Sequence, residues 1–95
     1  MQLKEILEDL ENLDESLSIY AKKNPEWSTD SEAFLVFGYD KIILGEFQYL
    51  LEIHIVKEVI DVWSKLHDGK APSIEEVCEA VIYYAEYDAY LPVNR

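Results

Sequence analysis

The spacing of apolar residues changes twice along this chain, and that change fixes the order in which its elements can occur. Leu3, Ile6, Leu7, Leu10 and Leu13 recur at three- and four-residue steps. They fall on one stripe of a helix, predicted over residues 2–14. Leu17-Ser18-Ile19-Tyr20-Ala21 then alternates with a period of two, which suits a short strand. The segment from Lys22 to Ser31 contains Asn24-Pro25 and several polar residues and reads as a loop, with Trp27 its one large apolar group.

Ala33-Phe34-Leu35-Val36-Phe37 is an unbroken apolar run closed by Gly38 and Asp40, as expected of a central strand buried on both faces. After a turn region that includes Gly45, the segment from Phe47 to Ile53 is assigned to a third strand, although its leucines also suit an early start of the next helix. Val56, Val59, Ile60, Trp63 and Leu66 return to helical spacing, and Gly69 and Pro72 supply stop signals. The last element is the best punctuated. Ser73 precedes Ile74 and is followed three places later by Glu76, a pairing in which each side chain satisfies an orphan amide of the other. Ile74, Val77, Cys78, Val81, Ile82 and Ala85 form the stripe of this helix, which ends near Tyr87, before Pro92. Strands that follow one another through short connections, flanked by helices, predict an α+β domain. Its expected form is a small three-stranded antiparallel meander packed against three helices, in the order α-β-β-β-α-α.

With 95 residues and 49% hydrophobic content, the chain supports a single core and hence a single domain over residues 1–95. Twenty acids against eight lysines and arginines give a formal charge of −12. Phosphate backbones and anionic membranes are held by clustered cations, so direct binding to either is disfavoured, whereas a basic protein partner would be attracted from a distance. A lone Cys78 forms no internal disulfide, and the first turn carries Glu5 without an apolar leader, so a cytoplasmic protein is expected. No apolar stretch approaches the roughly 20 residues that span a bilayer.

Few residues suit chemistry. His54, His67 and Cys78 are the soft metal ligands, and none stands at a spacing that brings two to one site, so no metal or other cofactor is expected. Cys78 falls on an apolar stripe and no serine lies in a nucleophile-elbow context, which argues against nucleophilic catalysis and against an enzyme. Gly38, Gly45 and Gly69 are too dispersed to cradle a phosphate. Twenty acids guarantee close carboxylate pairs somewhere, so such pairs carry no diagnostic weight.

The placement of charge is more informative. Residues 1–32 hold nine acids and three lysines, 33–72 six acids and four lysines, and 73–95 five acids and one arginine. Asp9, Glu11, Asp14 and Glu15 gather toward the predicted end of the first helix, and Glu86 and Asp88 toward the end of the last, where the helix dipole disfavours anions. Tyr83, Tyr84, Tyr87 and Tyr90 accompany the second group and cannot all share one buried stripe. Tyrosine joins a large apolar body to a polar tip and is enriched at interfaces. Tyr83, Tyr84, Glu86, Tyr87, Asp88 and Tyr90 are therefore the candidate partner-binding residues. The competing reading is that two or three of the rings close the base of the core.

The stretch from Val81 to Leu91, with Tyr83-Tyr84 followed by Asp88-Ala89-Tyr90, resembles the closing segment of a family of small bacterial proteins of unknown function. The likeness extends to the start of the first helix and to the Phe47–Trp63 region. It implies a stand-alone bacterial domain and carries no functional residue across. Two functions are weighed. The first is an acidic interaction module that neutralises a basic protein, in the manner of immunity or inhibitor proteins. The second is a small ligand-binding domain or enzyme with a pocket between sheet and helices, lined by Trp27, His54 and nearby carboxylates. Homodimerisation through surplus aromatic surface is a further expectation.

Overall fold

The computed structural model describes residues 1–37 and 45–93. Helix α1 spans Leu3–Glu8, followed by a 3-10 turn at Leu10–Asn12. Strands β1, β2 and β3 span Leu17–Lys22, Ala33–Phe37 and Phe47–Glu52, and helices α2 and α3 span Ile53–Leu66 and Ile74–Tyr87. The fold is α+β, with the element order and the antiparallel three-stranded sheet expected from the sequence. Its connectivity is not a meander. The strand order is β2-β1-β3, so Leu17–Lys22 is the central strand and Ala33–Phe37 an edge.

The physical reason lies in β1, where Ser18, Ile19, Tyr20 and Ala21 are all buried, on both faces and between two partners. The run at β2 is apolar on both faces because the sheet is lined on both. Ile19, Ala21 and Ala33 point to the helices, while Tyr20, Phe34, Phe47 and Tyr49 meet on the opposite face. A face-to-face stack joins Tyr20 to Phe34 at 5.6 Å, and Phe34 and Phe47 lie 5.0 Å apart. Gly38 and Asp40, predicted to close β2, lie outside the described residues.

A bulge completes the core side of the sheet. Ile19 faces Leu51 and Tyr20 faces Tyr49, which leaves Leu50 as an extra residue. Strict alternation would send Leu50 and Leu51 to opposite faces, whereas the bulge lets both join the helix-facing core, at 1% and 4% exposure. Helix α2 then begins directly at Ile53, three residues ahead of the first position its stripe marked, because Ile53, Val56 and Val59 occupy one buried line. The His54 amide donates to the Glu15 carbonyl at 3.2 Å, tying the start of α2 to the segment before β1.

The first helix is shorter than its apolar spacing predicts. It ends at Glu8, and Asp9 leaves helical geometry at φ −116°, ψ 20°. Aspartates favour such breaks because a short carboxylate competes for nearby donors. Asp9 accepts from the Asn12 amide side chain at 2.7 Å, and Asp14 accepts from both the amide and the hydroxyl of Ser16, at 2.8 and 2.6 Å. Those two bonds hold the Asp14 carboxyl below its usual range, hydroxyl first and amide second. Glu15 pairs with Lys57 at 3.7 Å. Asp9 caps α1, but Asp14 and Glu15 lie beyond the helix and serve a local turn and an ion pair, so the helix-dipole argument does not apply to those two.

Both later helices end as their punctuation predicts. Asp68 and Gly69 take positive φ, and the Gly69 amide donates back to the Ser64 carbonyl at 2.8 Å, closing α2. Ser73 and Glu76 form the reciprocal cap of α3: the Glu76 amide donates to Ser73 Oγ at 3.2 Å and the Ser73 amide to Glu76 Oε1 at 3.0 Å. Val77, Cys78, Ala80 and Val81 turn inward, which leaves the opposite side of α3 to solvent.

Candidate functional site

Helix α3 presents its outer side in a single line. Glu75, Glu79, Ile82 and Glu86 stand at steps of four, three and four, so they follow one face for the length of the helix. Tyr83 and Tyr87 flank that line, one turn apart, with ring centroids 4.6 Å apart and planes at 46°. Tyr83 is half-buried, whereas Tyr87 is 63% exposed. Glu79, Ile82, Tyr83, Glu86 and Tyr87 together line a shallow hollow of 230 Å³.

Helix α3 itself carries no lysine or arginine. The sequence holds no lysine or arginine between Lys70 and Arg95, and α3 has none in its last turn. Elsewhere four acids form ion pairs with lysine, Asp30 with Lys4, Glu46 with Lys22, Glu15 with Lys57 and Asp61 with Lys65, while exposed acids such as Glu11 and Glu26 form none among the described residues. Among the described residues Glu75 and Glu86 have no such partner. Asp88 caps α3 in the left-handed conformation, at φ 53°, and its amide donates to the Tyr84 carbonyl at 2.8 Å. Glu86 and Asp88 thus stand at the negative end of the helix dipole.

The six predicted residues divide. Tyr83, Glu86 and Tyr87 come together on the outer face. Tyr84 and Tyr90 pair with each other at 5.2 Å, and Tyr90 lies in the seam with Val59, Val62 and Leu66 of α2, where Leu91 is buried. Partial desolvation there, and then the Glu58 carboxylate, push the Tyr90 hydroxyl above its ordinary value. These two rings fasten the segment after α3 to α2, while Tyr87 is exposed and Tyr83 packs partly against the core beside it. Glu75, Glu79 and Ile82 stand outside the tyrosine cluster in the sequence, with Ile82 on the apolar stripe, and they join Glu86 on one face only when the helix is counted backward from Glu86 in steps of three and four.

The residues suggested for a pocket between sheet and helices are not brought together. Trp27 is buried near the end of β1, its indole N–H donating to the Ala21 carbonyl at 3.0 Å with the Lys23 ammonium 4.4 Å from the ring. His54 lies at the other end, beside Ser18's partner Glu52, about 10 Å away along the strand. It forms a contact with the Glu52 carboxylate, but the imidazole is 51% exposed. His67 stacks on Trp63 at 3.8 Å in a hollow of 390 Å³ that also reaches Glu76 and Glu79. Its Nδ1 is 2.7 Å from the Trp63 carbonyl, which can only accept, so that nitrogen carries a proton. Glu76 is committed to the Ser73 cap. Cys78 is buried, and burial followed by the Glu75 and Glu8 charges pushes its thiol up to about 11, which removes it as a nucleophile near neutral pH. Among the described residues no group of three histidine, cysteine or acidic side chains is placed to hold a metal ion, and no helix is long and apolar enough to cross a membrane.

A family model described as a domain of unknown function (DUF7716) matches residues 1–93. No curated protein and no solved structure matches the chain at significance.

Proposed function

The chain belongs to the DUF7716 family of uncharacterised domains, and from the outer face of α3 we propose that it is an acidic interaction module whose partner is a basic protein. The observation that carries the reading is the acidic line of Glu75, Glu79 and Glu86 beside Tyr83 and Tyr87, on a helix that holds no lysine or arginine. Folding gains little from Glu86 at the C-terminal end of the helix, although the dipole favours Glu75 in the first turn, whereas a basic partner gains from the whole line in both approach rate and register. Exposed tyrosine supplies contact area with few rotamers to freeze. An immunity-type or inhibitor-type protein that covers a basic enzyme has these properties, and a bacterial, cytoplasmic setting belongs to the same proposal.

A small-molecule site is less well supported. The sheet-to-helix interior is filled by Ile6, Ile19, Leu50, Ile53 and Val56, each at 0–1% exposure. A second copy of the chain would not suit the α3 face, because a twofold contact sets each line of glutamates against its own image. The test is capture of partners from the native host by the wild-type domain and by a Glu75→Gln, Glu79→Gln, Glu86→Gln variant. A basic protein should be retained at low salt, released as salt rises, and lost by the variant. Retention that ignores both salt and the variant would refute the proposal.

A further inference from the structure

We propose that the hollow on α3 receives an arginine side chain of the partner, with the guanidinium on the Tyr83–Tyr87 ring pair and its N–H groups on the Glu86 or Glu79 carboxylate. This inference rests on the interaction-module reading and specifies its chemistry. The hollow measures 230 Å³, below the roughly 300–1,000 Å³ of small-molecule sites, and it is open, so it suits one side chain rather than a ligand. Its lining differs in kind: Ile82, two tyrosine rings, and the side chains of Glu79 and Glu86. Glu79 and Glu86 are seven residues apart, about 10.5 Å along the axis, with Tyr83 between them. A cation seated on the rings is therefore within reach of one carboxylate at a time.

Charge alone would accept lysine or arginine equally. The rings decide between them. A guanidinium is planar and weakly hydrated, so it lies flat on an aromatic face while its edge still donates two parallel bonds to a carboxylate. An ammonium is compact and strongly hydrated, and it must give up water to approach the ring. The 63% exposure of Tyr87 leaves its ring open to such a contact.

The experiment titrates the full chain with two peptides of equal charge, nona-arginine and nona-lysine, at low salt, following α3 amide shifts by NMR. The arginine peptide should bind about two- to fivefold more tightly, the worth of one exposed cation–π contact. That preference should disappear in Tyr87→Ala and persist in Tyr87→Phe, which keeps the ring; Tyr87 is exposed, so both variants leave the core untouched. Equal binding of the two peptides, weakened in Glu86→Gln, would overturn the arginine inference and leave the acidic module standing. Binding that ignores every α3 variant, or shifts confined to other faces, would overturn both.

Discussion

Neutralising Glu86 and Asp88 should make the folded protein more stable, not less. Both stand at the C-terminal end of α3, where the last carbonyls leave a partial negative charge, and no cation occupies the last turn. Each exposed anion at such a position costs about 0.3–1 kcal/mol at low ionic strength, so the pair costs about 0.6–2 kcal/mol. The replacements are chosen to change charge alone. Glu86→Gln keeps a comparable helix former, and Asp88→Asn keeps a residue that tolerates the φ of 53° the cap requires. With a urea slope of about 2 kcal/mol/M, the unfolding midpoint should rise by about 0.3–1 M. Trp27 and Trp63, both buried, report unfolding by fluorescence. The gain should shrink near 1 M salt, where charges are screened beyond about 3 Å. A midpoint that stays put or falls at low salt would show that these acids support the fold, and the argument for an external partner would lose its premise.

Four other outcomes follow from the structure. Tyr20 is buried with no hydrogen bond to its hydroxyl among the described residues, so Tyr20→Phe should be neutral or stabilise by about 1 kcal/mol in the same urea assay, with the stack on Phe34 kept. Leu50→Ala, at the bulge, should lose about 2–5 kcal/mol by cavity formation. Cys78 should resist a thiol reagent at neutral pH in the folded protein and react at the rate of unfolding, since its thiol sits at about 11. Glu76 is held below its ordinary value of 4.5, by the Ser73 amide first and the Ser73 hydroxyl second. A depressed carboxyl stabilises the fold above its unfolded value and loses that contribution as pH falls through its folded one. Ser73→Ala should cost about 1 kcal/mol at neutral pH as a lost N-cap, and it should flatten the acid limb of the stability curve only in part, because the backbone amide of residue 73 still donates to Glu76.

Much of the fold was legible because its signals are local. The S-x-x-E cap at Ser73, the period-two run at Leu17 and the stripe from Ile74 to Ala85 each act within a few residues, and each forms where it was expected. What escaped is non-local. Which strand lies in the middle depends on what covers each face, and the aromatic layer of Tyr20, Phe34, Phe47 and Tyr49 exists only once three strands are paired. The first helix misled for a different reason: its leucines keep helical spacing through Leu13, but Asp9 and Asp14 take up their own turn bonds and override it. At the candidate surface the tyrosines were visible as a cluster. Their division into Tyr84 and Tyr90, which fasten the segment after α3 to α2, and Tyr83 and Tyr87, of which only Tyr87 is largely exposed, required the position of α2.

The most direct measurement is amide hydrogen exchange across the full chain, free and bound to the basic protein captured from the native host. Protection gained along Glu75–Tyr87, with the sheet face around Phe34 and Tyr49 unchanged, is the predicted pattern. Protection gained on the sheet or at the His67 hollow, with the outer side of α3 exchanging as in the free protein, would contradict it.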